Sequence, residues 1–261
     1  MTSKLSSAPW VDEPFHLIPT PSKRLTDSHS SLYCASEMAN AHNVMIRGLN
    51  SIIHQAPCIS AENGSTEKDV KDLFFYIQSW IKLIHHHHHV EESLLFPEIE
   101  KFSGKPGLMH DPKHEHELFH DGMEQLMTYT STTKPQEYRW ERMKEIIDSF
   151  SEPLTNHLHA EIDVFLALKD VDSKGLAKIW SQGETLLKQT GMPKTLYDVF
   201  PFVLGCADRT YEGNNSFPPL PWIVPYLIKY WFGLGNGAWR FCPCDWWGRP
   251  RPLAFTQQKS L

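Results

Sequence analysis

His85-His86-His87-His88-His89-Val90-Glu91-Glu92-Ser93-Leu94-Leu95-Phe96-Pro97 is the stretch whose reading decides the fold. Its five consecutive histidines sit in mid-chain, behind Leu73, Ile77, Trp80, Leu83 and Ile84, apolar residues that recur at helical spacing. The tract therefore belongs to a helix. At 3.6 residues per turn, His87 and Glu91 share the face carried down from Trp80, Leu83 and Ile84, so an imidazole and a carboxylate point together into the core which that helix covers. A buried pair of this kind is either hydrogen-bonded within the core or half of a metal site. The rest of the chain weighs between the two.

Working outward, the second helix has Thr66 as N-cap with Asp69 three residues on, and it continues past the histidines to about Glu100 with a bend at Pro97. Before it, Met38, Met45, Leu49 and Ile52 share a face of a first helix from about Ser31 to Gln55, with His42 on that face. Asp111-Pro112 opens a third helix through His116, His120, Met123 and Met127 to about Tyr129. A fourth begins near Pro135, carries Trp140, Ile146, Ile147, Phe150, Leu154, His157, Glu161, Val164, Phe165 and Leu168, and should kink or restart at Pro153. Long helices with short connections predict an all-α, up-down-up-down four-helix bundle over residues 31–175. Residues 1–30, with Pro9, Pro14, Pro19 and Pro21, read as an arm laid on the surface. Residues 176–261 read as a short helix to about Gln189 and then an aromatic, proline-rich extension wrapped on the bundle. Its Phe200, Phe202, Phe217, Trp222, Tyr226, Tyr230, Trp231, Phe232, Trp239, Phe241, Trp246 and Trp247 are too dense to leave in water.

The chain has 261 residues, 41% hydrophobic content and a formal net charge of −6, enough for a sizeable core and without the basic field that nucleic acid requires. No apolar run reaches the ~18 residues of a membrane span. Cys34, Cys58, Cys206, Cys242 and Cys244 are odd in number and lack C-x-x-C pairing, so they read as reduced thiols, and a cytoplasmic location is the expectation.

The core-facing donors are His42 from the first helix, His87 and Glu91 from the second, His116 and His120 from the third, and His157 and Glu161 from the fourth; each pair is spaced i, i+4. Five neutral imidazoles and two carboxylates suit two bridged borderline ions, which favours iron over magnesium or calcium. His85, His86, His88, His89 and His159 are expected in solvent or behind the ligands, and His110 and His114 exposed. His116-Glu117-Leu118-Phe119-His120 is also formally H-E-x-x-H, a zinc hydrolase helix with Glu117 as base, but that reading leaves the other donors unexplained.

His42-Asn43-Val44-Met45-Ile46-Arg47-Gly48-Leu49-Asn50, His87-His88-His89-Val90-Glu91-Glu92, His116-Glu117-Leu118-Phe119-His120 and His157-Leu158-His159-Ala160-Glu161 together resemble the hemerythrin-like family, the HHE cation-binding domains, over about residues 31–170. The resemblance implies a non-heme diiron centre, Fe2+/Fe3+ and bridged, with those seven residues as ligands, and O2 as partner. Oxygen-carrying members close the site with H-x-x-x-x-D, whereas this chain has H-x-x-x-E, so reversible carriage does not transfer directly. The extension looks similar to those of fungal hemerythrin-like proteins. The leading expectation is an oxidase or oxygenase acting on a small organic metabolite, with the extension walling its pocket; the alternative is O2 or iron binding or sensing without turnover. A peripheral membrane contact through the extension is a minor expectation.

Overall fold

The computed structural model describes residues 11–60, 63–189, 194–213 and 216–256; Pro9 of the arm and the side chain of Phe232 lie outside what is described. The elements that carry the site are α1 (Ser30–Gln55), α2 (Glu67–Val90), a single π turn (Glu91–Leu95), α3 (Phe96–Ser103), α4 (His110–Thr132) and α5 (Trp140–Leu166), followed by α6 (Ser173–Gln189) and α7 (Lys194–Cys206). Among the described residues there is no strand beyond one isolated bridge between Cys244 and Pro250. The architecture is the all-α helical bundle that the periodicity predicts.

Local chemistry explains the ends. Thr66 and Asp69 form a reciprocal capping box at the start of α2. At its other end, Pro97 has no N–H to offer the Ser93 carbonyl and its ring crowds it; the chain takes a wider turn just upstream, where the Phe96 N–H reaches the Glu91 carbonyl. The expected bend at Pro97 is thus a π turn carrying Glu91 itself. Pro153 behaves otherwise: α5 runs unbroken through it, on a half-exposed face where the freed carbonyl of Ser149 can take water. The helix expected to begin near Pro135 starts at Trp140, after a short 3-10 turn (Pro135–Glu137).

The interior faces follow alternating steps of four and three. On α4 Pro112, His116, Phe119, Met123, Leu126 and Thr130, and on α5 Met143, Ile147, Phe150, Leu154, His157 and Glu161, belong to the buried face. Gly122 lets these two helices close, since a Cβ there would lie 2.7 Å from the Cβ of Phe150.

The arm is sewn to α1 by two buried amides. Asn43 exchanges hydrogen bonds with the backbone of Ile18, and Asn50 donates to the carbonyls of Val11 and Phe15 and accepts from the Phe15 N–H.

The extension departs from expectation in two respects. Its apolar run from Lys194 to Cys206 forms a helix of its own, α7, despite Pro201, because it packs on α1 and α2. Phe202 fills the notch at Gly48, where a Cβ would stand 2.5 Å from its ring and 2.7 Å from Trp80. Only part of the aromatic density is then hidden. Phe202, Trp239 and Phe241 are core, whereas Trp222 is 77% exposed and Trp231 70% exposed, and Tyr226 and Tyr230 are exposed as well. The stretch itself stays on the molecule, with Pro218, Pro225 and Ile228 buried and residues 228–232 packed on α7, and it is the rings of Trp222 and Trp231 that face solvent. All five cysteines are buried and free, and no helix among the described residues is long and apolar enough to cross a membrane.

Candidate metal centre

Six of the seven residues expected to form the centre come together. His42, His87, Glu91 and Glu161 form one group of donor atoms within 4.8 Å of one another, and His88, His116 and His157 form a second. The carboxylates link the groups. Glu91 has one oxygen 2.7 Å from His87 Nε2 and the other 3.8 Å from His116 Nε2; Glu161 Oε2 lies 3.4 Å from His42 Nε2 and 3.9 Å from His157 Nε2.

His120 is not among them. Its side chain is 62% exposed, paired with Asp121 and stacked on His85. The reason lies in the seam of α4: after His116 the interior position belongs to Phe119, three residues on, and His120 falls about 100° past it. On α2 the opposite happens. Ile77, Ile81, Ile84, His88 and Glu91 continue one four-three seam, so His88 enters the cluster as the third imidazole of the second group. Sequence reasoning placed His88 in solvent or behind the ligands; following the seam down from Ile77 is the signal that brings it into the cluster. The H-E-x-x-H arrangement fails with His120, because Glu117 is exposed and bonded to His114 and, of the motif's three polar residues, only His116 faces the core.

The outer nitrogens settle which way the inner ones point. His42 Nδ1–H donates to the Leu158 carbonyl (2.7 Å), His116 Nδ1–H to Glu92 (2.6 Å) and His157 Nδ1–H to Glu115 (2.9 Å). Each partner can only accept, so the Nδ1 atoms carry the protons and the Nε2 atoms present lone pairs. Glu92 and Glu115 were not anticipated, although each flanks a ligand position in the sequence. His116 Nε2 and His157 Nε2 then face each other at 3.1 Å with no proton to share. Both oxygens of Glu161 and His88 Nε2 are buried without a hydrogen bond, and so are both oxygens of Glu91, whose 2.7 Å approach to His87 Nε2 lacks hydrogen-bonding geometry.

Burial drives the titration. It pushes His42, His88 and His157 well below the usual histidine range, His116 below it, and His87 down to about 4, while it raises Glu91 and Glu161 well above ordinary carboxylates. Neutral imidazoles whose lone pairs converge on buried, unbonded carboxylates are a donor set that fits cations, whose charge compensates what burial costs.

The matching positions extend well beyond the cluster. The profile of the Hemerythrin HHE cation binding domain matches residues 35–168, and the chain belongs to that family. It is also 37% identical over 251 residues to the Dimeric xanthone biosynthesis cluster protein R11 of Cryptosporiopsis sp. (strain 8999), an alignment that covers 94% of this chain and 93% of that protein, so the likeness runs through the extension. No solved structure matches.

Proposed function

We propose that the chain is a non-heme diiron oxidase or oxygenase acting on a small, largely apolar aromatic metabolite. His42 and His87 would hold one iron and His88, His116 and His157 the other, with Glu91 and Glu161 bridging; this mixture of imidazole and carboxylate suits iron. When bound, such a pair supplies the binding and reduction of O2. The protein's own part is to position and to exclude. Glu92 and Glu115 hold His116 and His157 in the tautomer that aims Nε2 inward, and the Leu158 carbonyl does the same for His42.

The observation that carries the reading is a cavity of about 190 Å3 reaching His87 and Glu91. Its walls are Met38, Val44, Met45, Val90, Leu95 and Trp180 from the helices, closed by Val199, Phe200 and Val203 of α7 and by Phe217–Leu220 of the extension. O2 alone needs far less room, and a cavity of ~150 Å3 takes a benzene ring. Leu187 and Pro219, both exposed, stand at its edge, where a larger metabolite would emerge. The relative's name refers to a xanthone biosynthesis cluster, and an oxidative tailoring step on an aromatic ring is the corresponding role here.

The test is to load the protein anaerobically with Fe(II), count the metal, then admit O2 with and without a hydroxylated aromatic and follow absorbance and product mass. Two irons per chain, O2 consumption and an oxidised product are expected. Reversible O2 uptake with no product would replace the enzyme by a carrier or sensor, and one zinc with no iron would overturn the diiron assignment.

A further inference from the structure

The same cavity has a second polar feature, separate from the metal donors. Among the described residues that line it, apart from His86, His87 and Glu91, the charged side chains are Glu37 of α1 and Glu184 of α6. They lie close enough to interact: burial raises the Glu37 carboxyl, and the neighbouring Glu184 adds to it. Neither is a loose surface group. The indole N–H of Trp180 donates to Glu184 at 3.1 Å, the Tyr33 hydroxyl also bonds it, and Asn40 approaches Glu37 at 3.5 Å. His86 is occupied elsewhere, on the Leu187 carbonyl. The pocket thus pairs apolar walls with one acceptor pair, while His87 and Glu91 line the same space on the metal side.

We propose that Glu37 and Glu184 form the hydroxyl-recognising wall of this cavity and select a hydroxylated aromatic ring, its O–H donated to the carboxyl pair while its unsubstituted edge is left toward His87 and Glu91. This rests on the cavity being the substrate site. A phenol fits better than an ammonium because burial and the neighbouring Glu184 both disfavour the charged form of Glu37, so the pair does not present two full negative charges for an ammonium to neutralise. A pocket built to accept a hydroxyl discriminates strongly against the analogue that lacks one, because its acceptors are then desolvated for nothing.

Equilibrium dialysis of the full-length, iron-loaded protein under nitrogen against 2-naphthol, naphthalene and 2-naphthylmethylammonium tests it without any turnover. The expected result is 2-naphthol bound about tenfold or more tighter than naphthalene, as a charge-assisted hydrogen bond gives. In the double variant Glu37→Met, Glu184→Met that preference should vanish, with naphthalene affinity and iron content unchanged. Equal binding of 2-naphthol and naphthalene to the unaltered protein overturns the assignment whether or not the variant folds, and tighter binding of the ammonium replaces it by a cation site. If no probe binds, the cavity is not the substrate site and both readings fall. Selective 2-naphthol binding in a protein that oxidises nothing removes the oxygenase reading and leaves this one standing.

Discussion

On α2, His87 and His88 are buried in the donor cluster, while His89, next along the same helix, is exposed and His85 and His86 are half-buried with partners outside the centre. The same contrast recurs on α4 between His116, inside, and His120, 62% exposed and stacked on His85. Residue type and even i, i+4 spacing are equal on the two sides of the comparison. What differs is the rotation of each helix about its axis, set by Trp80, Ile81 and Ile84 on α2 and by Phe119, Met123 and Leu126 on α4. A histidine becomes a candidate ligand because the apolar residues one and two turns away are already facing the core.

The sharpest way to break that contrast is at the carboxylates. Glu91→Ala should empty the centre of most of its iron and lower the melting temperature, because it strands imidazoles of both groups; Glu117→Ala, on the exposed face of α4, should change neither. Metal analysis with a thermal melt decides it, and equal losses would mean that the inward and outward faces of α4 are misassigned.

The next effect separates two histidines directly. His88→Ala should reduce the stoichiometry from two irons toward one, whereas His120→Ala should leave both. The reverse outcome would restore the simple i, i+4 pairing of His116 with His120 and refute the seam.

Smaller losses are expected behind the ligands. Glu92→Gln and Glu115→Gln should each weaken iron retention in a chelator titration by roughly 10- to 100-fold, since they lose the anionic acceptors that orient His116 and His157. Retention equal to that of the unaltered protein would show that these rings need no such support. Least affected should be His89→Gln, an exposed position where the melting temperature ought to move by no more than about 0.5 kcal/mol would produce.

Much of this was legible beforehand. The Thr66–Asp69 capping box, the Asp111-Pro112 start and the His87–Glu91 and His157–Glu161 pairs are local patterns, and the helices they mark are present. Where reading failed, a non-local contact was responsible. α7 survives Pro201 because Phe202 has the Gly48 notch and Tyr76 to pack against, more than a hundred residues away. Trp222 and Trp231 are left out because the stretch that carries them meets α7 through Ile228 instead, which leaves their rings in solvent.

By itself the order of residues determined which helices form, where they are capped and which donors they carry, since these depend on hydrogen bonds and spacing within a few turns. It did not determine that His88 rather than His120 completes the cluster, that Glu92 and Glu115 hold the outer nitrogens, or that α6, α7 and Phe217–Leu220 enclose a cavity against His87 and Glu91. Spacing sets only the angle between two side chains on one helix. The absolute rotation that turns one inward is chosen by the packing of all the helices together, ridge into groove at close-packed density.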